Sequence, residues 1–163
     1  KCSKVLAECK VPKVIYDFMI HHPFESLEEL KETYRLCLEL EPPFELQIHG
    51  LHFLPGTDIV QMALDAGYYS CEEMNAKMYG SLKKQFESWY WDVSASENID
   101  ELTCWTSMIF LSQFLSLRPM LKTLENNLQK NKGLNTIYRL QLIMNKMLKL
   151  RNLAQKAILV VKP

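Results

Sequence analysis

Two short apolar runs that stop abruptly in histidine and proline constrain this chain more than any other feature. The first is Val14-Ile-Tyr-Asp-Phe-Met-Ile-His-His-Pro-Phe-Glu-Ser26, and the second ends in His49-Gly-Leu-His-Phe-Leu-Pro-Gly-Thr57. Val, Ile, Tyr and Phe favour a pleated, half-buried backbone, and proline cannot donate to a strand ladder, so each run reads as a strand closed by a turn. Residues 13–20, opened by Pro12, are expected as the first strand and residues 44–53 as the second. Between them Ser26 and Glu29 have capping-box spacing, and Leu27, Leu30, Tyr34, Cys37 and Leu38 line one helical face before Pro42-Pro43 closes it. Two strands joined through a helix run parallel, and the polar residues then gather at the strands' C-terminal ends, where α/β sheets bind ligands.

The rest of the chain reads as helices. Residues 1–9 look like the end of one. Thr57 or Asp58 caps a short helix that stops at Gly67, and Ser70 with Glu73 forms a second capping box for a helix to about Gly80. After the aromatic segment Phe86, Trp89, Tyr90 and Trp91, Asn98 with Glu101 is expected to start an apolar helix reaching about Leu117. Pro119 suits the first position of the next, which Gly133 ends. The last helix carries Leu140, Ile143, Met147, Leu150, Ala154, Ala157 and Val161 on one stripe, with Arg139, Lys146 and Lys149 turned away. Met108, Met120, Met144 and Met147, with Trp105, read as core filler. The fold class is therefore α/β, or α+β overall: one β-α-β unit followed by helices. Two parallel strands cannot bury both faces of a sheet by themselves, so further strands must come from elsewhere.

At 163 residues the chain is about one domain, and its 48% apolar content argues against disorder. It opens at Lys1 with no initiator Met and no signal-like run, which reads as an excised piece of something longer. No apolar run is long enough to span a bilayer. The net charge of zero conceals an asymmetry: positions 118–163 hold ten Lys/Arg against Glu125 alone, leaving nine basic and eighteen acidic residues in the rest. A basic tail of this kind docks on nucleic acid, on anionic lipid or on the acidic remainder of its own chain, and the last is the reading preferred here. Cys2, Cys9, Cys37, Cys71 and Cys104 are scattered, with no CxxC or CxxxCxxC, so no zinc ribbon or iron–sulfur ligand set is present. Their odd count and spacing suit a reducing, cytoplasmic compartment.

Strand alternation separates two faces. Tyr16, Phe18 and Ile20 share one with Leu46 and Ile48. Ile15, Asp17, Met19 and His21 share the other with Gln47, His49, Leu51 and Phe53. The uniformly apolar face packs against helices, and the mixed face points to a barrel interior or cleft. Asp17 is the best single candidate for ligand contact, because a carboxylate on an inward strand face is costly to bury unless it binds something. His21, His22, His49 and His52 could in principle form a metal site, but His49 and His52 are three apart on an extended segment and diverge. Acid–base or hydrogen-bonding roles suit them better, and no metal site is expected. Leu54-Pro55-Gly56-Thr57 forms a tight turn leading into a helix N-terminus, an arrangement that suits a nucleotide or anion.

The ordered pair Asp17-Phe-Met-Ile-His-His-Pro-Phe-Glu-Ser26 and His49-Gly-Leu-His-Phe-Leu-Pro-Gly-Thr57, joined by a capped helix and followed by a helix ending at Gly67, resembles the last part of a radical S-adenosylmethionine domain. It is most similar to the cobalamin-binding branch that includes the oxidative cyclases of magnesium-protoporphyrin ester. The resemblance covers about residues 1–80, and residues 81–163 are similar to the helical C-terminal extensions of that branch. It implies the last β-α-β portion of a partial TIM-like barrel over 1–80. It also implies that Asp17 lies near the ribose of S-adenosylmethionine, that the backbone of His52, Phe53 and Leu54 meets the adenine, and that Pro55, Gly56 and Thr57 help seat the cofactor. His21, His22 and His49 would face cofactor or substrate. Many relatives have glycine where this chain has His21-His22, so this strand end is bulkier and more polar. The family's 4Fe-4S cysteine triad and its cobalamin module would lie upstream, in the parent protein, and not on residues of this chain.

The resemblance thus implies a fragment of a cytoplasmic radical enzyme, inactive alone, whose partners are a small organic substrate and the upstream barrel and cobalamin domain. A nucleic-acid partner is not expected. The alternative is a non-enzymatic helical interaction module whose basic tail binds an acidic partner. A third possibility, a His-metal hydrolase, requires a stoichiometric metal.

Overall fold

The structure is a computed structural model, and it describes residues 1–20, 22–80, 100–128, 135–137, 139–144 and 146–147. Among these the protein is a mixed α/β chain, mostly helical, with one two-stranded parallel sheet. The elements are α1 (Cys2–Glu8), β1 (Ile15–Ile20), α2 (Leu27–Glu39), β2 (Glu45–Gly50), α3 (Asp58–Asp65), α4 (Cys71–Tyr79), α5 (Glu101–Leu111), a 3₁₀ turn (Leu115–Leu117) and α6 (Arg118–Leu128). No helix among the described residues is long and apolar enough to cross a membrane.

The chain divides into two compact units. The first comprises Lys1–Leu30 and Glu41–Asp92; the second comprises Lys31–Leu40 and Val93–Pro163. In the first unit β1 and β2 run parallel, with Ile15 opposite Glu45 and Ile20 opposite Gly50. The alternation expected from the sequence holds: Leu46, Ile48 and Ile20 are buried and Tyr16 and Phe18 half-buried, whereas Asp17 and Gln47 are exposed. β2 is shorter than expected and stops at Gly50. The pairing runs as far as Ile20 opposite Gly50, the last position of each strand.

Helix ends follow their local chemistry. In the Ser26 capping box the Glu29 carboxylate accepts from the Ser26 N–H at 2.7 Å, while the Ser26 hydroxyl accepts from the Glu29 N–H at 3.3 Å. Ser70 and Glu73 repeat the arrangement at the start of α4. α3 ends as expected at Gly67, whose φ of 70° permits the Tyr68 N–H to reach back to the Ala63 carbonyl at 3.0 Å. The same wrap closes α1, where Val11 N–H donates to the Leu6 carbonyl at 3.1 Å. There Lys10 takes the left-handed position at φ 51°, one that a glycine would fill with less strain. α3 and α4 pack around Phe53, Ala63 and Met74, with Phe24, Leu51, Ile59, Val60, Leu64 and Tyr69 against them.

In the second unit α5 is buried on almost every side, from Thr103 to Ile109 and again at Leu111. Its hydroxyls avoid an unsatisfied burial by bonding within the helix: Thr106 donates to the Leu102 carbonyl at 3.0 Å and Ser107 to the Thr103 carbonyl at 2.8 Å. The Tyr34 ring meets Trp105 edge-on at 5.5 Å, and both are buried. Two sequence expectations change here. The N-cap of α5 is Asp100, which accepts from the Thr103 N–H at 2.7 Å, and Asn98 lies outside the described residues. The helix also stops at Leu111 instead of reaching Leu117, because Ser112 and Gln113 side chains bond the carbonyls of Ile109 and Phe110 and close its last turn.

The last helical stripe is also rotated from its expected position. Ile137 and Gln141 are the covered positions and Leu140 and Met144 are half-buried, whereas Ile143 and Met147 are exposed with Arg139 and Lys146. A polar residue, Gln141, occupies a core position that a count of apolar side chains passes over. Gly133, Lys149, Leu150, Ala154, Ala157 and Val161, like the aromatic segment from Phe86 to Trp91, lie outside the described residues.

Candidate functional site

β1 and β2 bring Asp17 and His49 together. Asp17 stands opposite Gln47 and His49 opposite Met19, so the two residues are diagonal neighbours on one sheet face. Their side chains meet, His49 Nε2 to Asp17 Oδ1, at 3.3 Å. A carboxylate only accepts, so Nε2 carries the proton in this contact. The Asp17 side chain is 66% exposed and His49 only 21%, which makes the histidine the anchored partner and the carboxylate the presented one. Among the described residues this face is open, and Ile15 and Met19 beside Asp17 are 39% and 61% exposed.

Residues 51–57 follow the C-terminal end of β2 and lead into α3. His52 is half-buried, and the Phe53 ring is buried in the first unit's core, edge-on to Tyr69 at 5.6 Å. Only the backbone of Phe53 is thus available to a ligand. Leu54, Pro55, Gly56 and Thr57 are exposed. The Thr57 N–H donates to the Leu54 carbonyl at 3.3 Å and Gly56 has φ 77°, the shape of a type II turn with proline and glycine at its centre. Thr57 is the N-cap of α3 by position, but its hydroxyl does not cap the helix. It turns back to donate to the Leu54 carbonyl at 2.7 Å.

His22 lies against Phe24, with ring centroids 6.4 Å apart, and Phe24 meets Tyr68 edge-on at 5.2 Å. This aromatic series just past the end of β1 was not legible as a group in the sequence. Its only signal is that the glycine turn after α3 delivers an aromatic pair, Tyr68-Tyr69, to the end of the preceding strand. His21 lies outside the described residues. No group of three His, Cys, Asp or Glu able to hold a metal ion occurs among the described residues.

All five cysteines are free. Cys2, Cys9 and Cys71 are exposed, and Cys37 and Cys104 are buried. Burial pushes the Cys37 thiol up to about 11, despite a hydrogen bond with Ser112 and the nearby Arg118 charge. Burial also pushes Cys104 up to about 11, with Asp100 and Glu101 adding to it. Neither buried thiol is poised as a nucleophile or metal ligand.

No protein-family model, no curated protein and no solved structure matches this chain.

Proposed function

We propose that this chain is the C-terminal part of a cobalamin-type radical S-adenosylmethionine enzyme, and that it helps to seat the cofactor and a small organic substrate. The observation that carries the reading is the meeting of Asp17 and His49 on an open face of a parallel β-α-β unit, whose second strand leads along the chain into the 54–57 turn. That unit would be the last portion of a partial TIM-like barrel, with its remaining strands and a cobalamin domain supplied upstream in the parent protein. The exposed Met19 and Ile15 support this, since an apolar pair beside a polar dyad is what a closed barrel would cover.

The residues suit the cofactor's nucleoside. Asp17 makes no other polar contact among the described residues, so Oδ2 remains to accept a ribose hydroxyl. The backbone of His52, Phe53 and Leu54 would meet the adenine, and the Pro55-Gly56-Thr57 turn would border it. Asp17 and the backbone of residues 52–57 would hold S-adenosylmethionine, which would supply radical hydrogen-abstraction chemistry in the parent enzyme. The cysteines here do not suit a 4Fe-4S cluster, being scattered and partly buried, and the segment alone is not expected to be active. Five free thiols and an oxygen-sensitive partner cluster fit a reducing cytoplasm.

The interaction-module alternative draws on the charge asymmetry. Its first cation, Arg118, is engaged with backbone carbonyls of its own chain and is not presented to a partner. The deciding experiment is to read the coding sequence that precedes Lys1. A CxxxCxxC motif followed by alternating strand and helix patterns is the expected result. A coding sequence with no such triad sinks the enzyme reading.

A further inference from the structure

We propose that His49 is a positioning residue: it holds the Asp17 carboxylate by Oδ1, leaving Oδ2 as a fixed acceptor for a hydroxyl of a ribosyl ligand. This rests on the reading of Asp17 as a ribose contact and adds a residue to it. An aspartate in the middle of an exposed strand face exchanges rotamers freely, and a ligand that needs one of them must first order it. Here the less exposed imidazole supplies that order in advance, from the neighbouring strand, through the 3.3 Å contact between Nε2 and Oδ1. The register makes this possible. In a parallel pair the residue one step diagonal on the same face is within reach of a long side chain, and His49 sits one pleat beyond Gln47, the direct neighbour of Asp17. The hydrogen bond uses one carboxylate oxygen only. The second oxygen, on a side chain two-thirds exposed, has no protein partner among the described residues and faces no competing cation there. A hydroxyl donating to a carboxylate forms one of the stronger classes of hydrogen bond, so a site of this kind should distinguish a ribose from a sugar without hydroxyls.

The test uses the 163-residue chain and two probes, adenosine and 2′,3′-dideoxyadenosine, with binding followed by NMR titration. The wild-type chain is expected to bind adenosine at least about tenfold more tightly, the loss a site built for a hydroxyl imposes on an analogue lacking it. His49→Phe keeps the ring and removes the donor, and should reduce that preference to about twofold or less. His49→Gln places an amide N–H near the position of Nε2 and should retain it. Asp17→Ala, which removes both carboxylate oxygens, should behave as His49→Phe. Thermal melts of all variants control for folding. A wild-type chain that does not prefer adenosine overturns the ribose reading and this role with it. A preference that survives His49→Phe overturns the role of His49 and leaves the ribose reading standing.

Discussion

Replacing Arg118 with alanine should be among the most damaging single changes to the second unit. One guanidinium donates to four backbone carbonyls among the described residues: Nε to Ser112 at 2.9 Å, Nη1 to Leu38 at 3.0 Å, and Nη2 to Cys37 at 3.2 Å and Leu40 at 3.1 Å. Three of those acceptors are carbonyls at the C-terminal end of α2, which have no partner within the helix and carry the negative end of its dipole. The fourth is just past the end of α5. A hydrogen bond to a charged group contributes about 1.5–3 kcal/mol in favourable cases. Four such bonds do not add, because they share one side chain and Arg118 is only half-buried, so water recovers part of the loss. At about 1 kcal/mol for each bond the ceiling is about 4 kcal/mol, and about 2–3 kcal/mol is the expected loss for Arg118→Ala. Arg118→Lys keeps the charge but not the planar fork, and should recover only about 1 kcal/mol of it. Urea denaturation followed by circular dichroism measures both. A loss under about 1 kcal/mol for alanine, or a lysine variant as stable as the wild type, refutes the claim that this fork ties the two helix ends together.

Two further expectations concern titration and reactivity. Hydrogen bonds from the Ser26 backbone and hydroxyl hold the exposed Glu29 carboxyl below its usual 4.5, and Ser70 does the same for Glu73. Both native values are depressed, so the two caps stabilise fully above the unfolded value and the contribution is lost as pH falls below about 4.5 through the native values. Circular dichroism should therefore show helix loss on acidification that Glu29→Gln and Glu73→Gln shift or flatten, and an unchanged acid profile in the double variant counts against it. At pH 8 a thiol reagent should modify Cys2, Cys9 and Cys71 in the native chain, and Cys37 and Cys104 only after denaturation. Five equally fast thiols would contradict the burial described above.

Much of the fold was legible because its signals are local. Alternation along residues 15–20 and 45–50 assigned each side chain to its face, and the Ser26–Glu29 and Ser70–Glu73 pairs set two helix starts within a residue. Gly67 worked because a positive φ is needed to wrap the end of α3. The failures arose where a partner decides. β2 stops at Gly50, opposite Ile20, a limit set by pairing that the residues of the second run do not record. The buried face of the last helix includes Gln141, a residue that apolar periodicity discards. Arg118 counted as one more charge in a basic tail until the carbonyls it holds, eighty positions earlier in the chain, came into view. At the candidate site Asp17 was singled out from its strand position, but its contact with His49 depends on register between strands, which sequence spacing does not give.

The discontinuity of the second unit has a consequence for the order in which the molecule is made. Lys31–Leu40 belongs with Val93–Pro163, although the segments between them in the chain form most of the first unit. During synthesis the Tyr34 ring and the Cys37 thiol leave the ribosome long before Trp105 and Arg118 exist to cover and fasten them. The segments assigned to the first unit have all emerged once Asp92 is made. The part of α2 from Lys31 onward must wait longer for its partners, an amphipathic half-helix with its apolar side wet.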